Sequence, residues 1–260
     1  VHARSYYGDV NVTNNGDISA SGSTAVGIVS FADYGDVSVT NNGTITASAN
    51  GGTGSGIRAV SFNNDVSVEN TGSITASSVS GKANGIYAYS QYGDVAVNNS
   101  GDITATSTSN SAFGIYAVSV YDDVTVNTDG DIVAQSTSAS AMGIFAAGIN
   151  ATVTGSGDVT ATTTTGSATG VFARALDAYG VVTIDVSGDV TAETTGAGNA
   201  IGIRAYSYAG DVYVTSSGEI TASNVTGSAI GILTGRFGYS TVDNSGDITT
   251  TTSAGNSIGI

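Results

Sequence analysis

Two rows of carboxylates run the length of this 260-residue chain. One is Asp9, Asp36, Asp65, Asp94, Asp123 and Asp211; the other is Asp17, Asp102, Asp131, Asp158, Asp189 and Asp247, with Glu219 in the same column. Carboxylate oxygens are ligands for hard cations, so calcium bridging is the chemistry such rows could do. Like charges at strand spacing repel. The simpler relief is hydrogen bonding from turn N–H groups at solvated corners, and on that account no cofactor is expected. A second set of residues mixes bases with rings: Arg58, Tyr87, Tyr89, Tyr116, Phe145, Phe172, Arg174, Arg204 and Tyr206, with His2, Arg4 and Phe31 at equivalent earlier positions. Arginine and aromatic enrichment marks recognition surfaces. The competing account is a ring stack that stiffens one face.

A third set is hydroxylic: Ser19/Ser21, Thr46/Ser48, Thr75/Ser77, Thr104/Thr106, Thr160/Thr162, Thr221/Ser223 and Thr249/Thr251, interrupted by Val133/Gln135 and by Glu193. Flat T-x-T ladders resemble ice-binding faces, and they also offer partners to a glycan. Exposed strand positions favour Ser and Thr without any ligand. Catalysis needs a pocket of a few unlike groups. Here each polar residue recurs with its row, and the single histidine, His2, stands at the chain start. The expectation is that this is not an enzyme.

The rows exist because one sentence is written nine times. The glycine before the D-I-T segment falls at Gly16, Gly43, Gly72, Gly101, Gly130, Gly157, Gly188, Gly218 and Gly246, with spacings of 27, 29, 29, 29, 27, 31, 30 and 28 residues. The glycine of a G-I pair follows at Gly27, Gly56, Gly85, Gly114, Gly143, Gly170, Gly202, Gly231 and Gly259. A period near 29 with no helical pattern means stacked coils. Three alternating segments recur in each: V-x-V (Val95/Val97), I-x-A (Ile103/Ala105) and a second I-x-A after G-I (Ile115/Ala117). Period-two alternation buries one side of a strand. The spacing therefore predicts an all-β, right-handed parallel β-helix with three strands per coil and nine coils of about 29 residues. Leucine-rich repeats share the period but need several leucines per repeat, and this chain has only Leu176 and Leu233.

Local chemistry fits the coil. The residue two past the V-x-V pair reads Asn14, Asn41, Asn70, Asn99, Thr128, Gly155, Val186, Ser216 and Asn244. Asparagine tolerates left-handed backbone, and its side chains can hydrogen-bond in a ladder. The glycine two residues on suits a positive φ. Length changes fall mainly in Ser/Thr/Gly stretches before G-I, such as 48–55 and 194–199, which read as loops. Ile86, Ile115 and Ile144 should form one inward column.

Composition limits the partners. Lys+Arg is 6 against 21 Asp+Glu, a net charge of -15. That argues against nucleic acid, which wants a basic stripe, and against docking on anionic lipid. No apolar run of about 18 residues is present, so no membrane insertion by a helix is expected. Val1 stands nine residues before Val10, as Ile86 does before Val95, and Ile260 after Gly259 occupies the same phase. Residues 1–260 read as a single β-helix segment cut from a longer array, and open ends favour association end to end.

Repeats such as Y-G-D-V-A-V-N-N-S-G-D-I-T-A-T-S (Tyr92–Ser107) followed by F-G-I-Y-A-V-S (Phe113–Ser119) resemble the β-helical passenger stem of Gram-negative autotransporter and filamentous-haemagglutinin-like adhesins. The resemblance covers the whole chain and is architectural. It implies an extracellular or cell-surface stalk, with a sibling fibre or a host or neighbouring-cell glycan or protein as partner.

Overall fold

The computed structural model describes residues 1–235 and 237–260. These residues form 28 strands and no helix, arranged as a parallel β-helix. The first sheet has nine V-x-V strands, from β2 (Val10–Asn14) to β26 (Ser240–Asn244). The second has nine I-x-A strands, from β3 (Ile18–Gly22) to β27 (Ile248–Thr252). The third has ten G-I strands, from β1 (His2–Ser5) to β28 (Ser257–Ile258). Every strand pairs in parallel with its counterpart one coil away, Ile86 on Ile115 and Ile115 on Ile144. Those three isoleucines are fully buried, as are Val126 and Ile132 on the other two sheets. The alternation thus sets the register that the sequence implies, because a one-residue slip would turn every buried residue outward.

Three features differ from the sequence reading. First, strands of the third sheet are longer than the G-I pattern suggests. In β13 (Ala112–Ser119) the strand begins two residues before Gly114. Gly114 and Ile115 both face inward: a Cβ on Gly114 would meet the Ile132 side chain and the carbonyl oxygen of Gly143. Two successive inward residues break the alternation and hide the strand start. The reward is a second core of alanines, in which Ala83, Ala112, Ala141 and their equivalents pack against Ala105, Ala134 and Ala161.

Second, the turn glycines do not serve a left-handed backbone. Among the described residues positive φ occurs only at Gly22 and Gly155, and at no asparagine. Glycine is required in the Gly43–Gly246 column by close stacking, since a Cβ on each would strike the carbonyl oxygen of the glycine one coil back. The asparagine ladder does form. Asn14, Asn41 and Asn70 each donate from Nδ2 to Oδ1 of the next asparagine at 2.7 Å, and Asn99 reaches Thr128 at 3.1 Å. Each Nδ2 also donates to the glycine carbonyl two residues on, at 2.6–2.7 Å. Asn41 and Asn70 are almost wholly buried, so this pairing is obligatory.

Third, length varies at two corners rather than one. The Asn–Gly corner is always three residues, as in 100–102 between β11 (Val95–Asn99) and β12 (Ile103–Ser107). The second corner varies, and the loops there are shorter than 48–55 and 194–199, because Ser48, Ala49, Gly54, Ser55 and Thr194 lie in strands. The third corner runs from 149–150 to 176–181. Where a strand before a variable corner ends in Ser or Thr, that residue pins the corner. Ser90 donates to the Asn64 carbonyl at 2.7 Å and accepts Gly93 N–H at 2.9 Å; Ser107 does the same with Gly81 and Asn110.

Candidate functional site

The outward side of the third sheet gathers all nine basic and aromatic residues singled out from the sequence. Parallel register places one residue per coil, so Arg58, Tyr87, Tyr116, Phe145, Phe172 and Arg204 become consecutive members of one column. Tyr89, Arg174 and Tyr206 stand in the neighbouring column. The rings of Tyr87 and Tyr116 stack at 5.2 Å with planes 1° apart, Tyr116 and Phe145 at 5.0 Å and 28°, and Phe145 and Phe172 pair edge to face at 5.3 Å. Guanidinium groups cap both ends, Arg58 at 5.7 Å from the Tyr87 centroid and Arg204 at 4.5 Å from that of Phe172. Arg174 lies 5.8 Å from Tyr206. Cation–π contacts of this kind contribute roughly 0.5–1 kcal/mol when exposed.

The rings are half-buried, so the face is a stack as well as a surface. Burial pushes the Tyr87 phenol above its ordinary range, with Tyr116 adding to the effect and Arg58 opposing it; burial does the same for Tyr116. Both hydroxyls stay protonated and can donate. The sequence reading missed two members. Phe113 packs edge-on against Tyr116 at 5.2 Å, and the Lys82 ammonium lies 5.9 Å from the Phe113 centroid. Both precede the G-I glycine in what read as loop; the recurrent A-x-G-I was the available signal.

The carboxylate rows find their compensation in backbone. Asp65, Asp94 and Asp123 accept the N–H of the equivalent residue one coil on, at 2.9–3.1 Å. In the other row Asp131, Asp158 and Asp189 do so at 2.7–3.0 Å. Donors from the next coil thus hold each row at strand spacing. Among the described residues the nearest approach to a metal-ligand set is Asp94, Asp122 and Asp123, which offer carboxylate oxygens within 4.8 Å of one another and could hold a divalent cation. Asp94 is held above its ordinary 3.8, first by desolvation and then by Asp122 and Asp65, against the favourable N–H of Asp123.

A raised carboxyl favours the folded state when protonated, and that contribution is lost as pH rises through the raised value. At pH 7 the cluster therefore works against folding. Asp122→Asn should raise the melting midpoint at pH 7 by roughly 1–2 °C, a small effect because Asp94 is exposed and screened. The gain should vanish below about pH 3, where Asp94 is protonated. Thermal melts at both pH values check it; an equal shift at both would show that the charge is not the cause.

The hydroxyl rows of the second sheet are in register, Ser19–Thr46–Thr75–Thr104 and then Val133–Thr160–Thr191–Thr221–Thr249. Gln135 and Glu193 stand in the adjoining column. Compared with protein-family models, curated proteins and solved structures, the chain matches none. Its class is defined by the fold alone: a parallel β-solenoid of three sheets.

Proposed function

We propose that this chain is a non-catalytic stalk segment of an extracellular, adhesin-like bacterial surface protein, with the outer face of the third sheet as its contact surface. The observation that carries the reading is the unbroken column from Arg58 to Arg204, in which six coils present bases and rings in register. The polar residues elsewhere are used by the coils themselves: asparagines ladder, serines pin corners, aspartates accept N–H groups. The sequence likeness to autotransporter passenger stems points the same way. Fibre-to-fibre association or adhesion to a glycan or protein would use this face.

Replacing Tyr87, Tyr116, Phe145 and Phe172 with Ser tests the reading. Each stacked ring pair contributes about 0.5–1.5 kcal/mol beyond area burial, so stability should fall by a few kcal/mol while the isoleucine core keeps the fold. Cell adhesion and lateral association should be abolished, and Thr104→Ala with Thr160→Ala should leave both intact. Full adhesion after loss of the rings would reduce the column to scaffolding. Tyr87→Phe with Tyr116→Phe separates the roles, since it keeps the stack and removes only the hydroxyls.

A further inference from the structure

Charge on this molecule is segregated. The chain carries 21 acidic residues, yet no Asp or Glu occurs in any strand of the third sheet. Among the described residues the one ion pair joins Arg4 to Asp33 at 3.7 Å. Arg58, Lys82, Arg174 and Arg204 have no acidic partner there, in a chain where acids outnumber bases 21 to 6. Each is held instead by a ring, Tyr87, Phe113, Tyr206 and Phe172 respectively. That contact fixes the stem without consuming a donor. Two shallow hollows result. One is lined by Thr53, Ser55, Arg58, Lys82, Asn84 and Tyr87, the other by Phe172, Arg174, Arg204 and Tyr206. Neither has an acidic lining residue.

We propose that this face binds a linear, carboxylate-bearing polysaccharide laid along the solenoid axis, with its acid groups at the two hollows and its sugar rings over the aromatic strip. The inference rests on the contact-surface reading above and names the partner. Guanidinium forks recognise carboxylates in two-point fashion. Arg58 and Arg204 are five coil steps apart, about 24 Å at strand spacing, so one small anion cannot engage both hollows and an extended ligand can. A repeating receptor suits a repeating ligand, and the protonated Tyr87 and Tyr116 hydroxyls add donors between the hollows.

An acidic peptide fits less well. Strands from β4 (Ala25–Ala32) to β25 (Ala229–Thr234) are paired on both sides, so the face offers a peptide backbone no open edge. A second copy docked by two-fold symmetry about the middle of the column would set Arg58 against Arg204. Carboxylates at the other corners repel a polyanion, but screening over about 8 Å at physiological ionic strength leaves the local face to decide.

The test is titration of the 260-residue chain with polygalacturonate, a uronic-acid homopolymer, at about 0.15 M salt with EDTA to remove calcium bridging. Its methyl ester and poly-glutamate are the controls. The chain should bind polygalacturonate and neither control, and binding should disappear near 1 M salt. Arg58→Gln, Arg174→Gln and Arg204→Gln together should weaken it about tenfold or more, with circular dichroism unchanged. Lys82→Gln alone should weaken it measurably if the triple variant folds poorly. Equal binding by the variants, equal binding of the ester, absence of binding, or poly-glutamate bound as tightly would each overturn the assignment, the last by making the occupant an acidic peptide. If the ring variants lose cell adhesion while polygalacturonate is never bound, the stalk reading stands and this one falls. Polygalacturonate binding with adhesion indifferent to the face gives the reverse.

Discussion

Ile115→Asp is expected to unfold the middle of the solenoid and leave its ends folded. Ile115 is fully buried between Ile86 and Ile144, and among the described residues no basic side chain is buried with it. A carboxylate there is either desolvated without a partner or protonated at the cost of a strongly raised pKa, and the loss should exceed about 4 kcal/mol. Coils of a solenoid contact only their neighbours, so damage should stay near the substitution. Hydrogen exchange should show lost protection across roughly residues 86–144 and retained protection near Val39 and Val214. Ile115→Val, which removes one methylene, should cost only about 1 kcal/mol. Uniform loss along the chain would show that the coils unfold as one unit.

The glycine column gives a sharper contrast, because the same substitution should have opposite outcomes at a column glycine and at a loop glycine. A Cβ on Gly101 would strike the carbonyl group of Gly72 and crowd the Thr71 carbonyl carbon, all of it backbone that no rotamer change can move. Gly101→Ala must therefore lift one coil off another, straining the Asn70–Asn99 bond at 2.7 Å and the Gly101 N–H contact to Asn70. A cost above about 3 kcal/mol is expected. At Gly51, in a loop of the second corner, an added Cβ meets chiefly the Ser23 hydroxyl, the movable end of a side chain, and φ there is not positive. Gly51→Ala should be close to neutral or stabilise by up to about 1 kcal/mol through the unfolded chain. Urea melts of the two variants decide it, and similar midpoints would mean the column is not a close-packing device.

Strand register was legible because Val95/Val97, Ile103/Ala105 and Ile115/Ala117 alternate with period two and glycine punctuates them. What sets the register at Gly114–Ile115 was not, since two inward residues in succession look like the end of a pattern rather than a bend within a strand. The outward column from Arg58 to Arg204 was legible for the same reason as the core: once Ile86 faces in, Tyr87 faces out. That corner N–H groups relieve the aspartates was expected, but which ones was hidden, because the N–H that Asp94 accepts belongs to Asp123, 29 residues away. Phe113 was missed with the strand start that carries it, and Lys82 because it directly precedes such a start.

The fixed three-residue corner and the variable two make each coil a closed turn of thread bound to the turn beneath it. A coil holds about 29 residues but adds only one strand spacing, about 4.8 Å, to the height. Fully drawn out, the same residues span about 100 Å. A load along the axis would therefore be met first by stacked rungs and then, if one coil lets go, by a length of slack some twenty times its former height. The neighbouring coils keep their own pairings meanwhile. A solenoid of this kind yields under tension in instalments, as a reel does, where a rigid rod would snap.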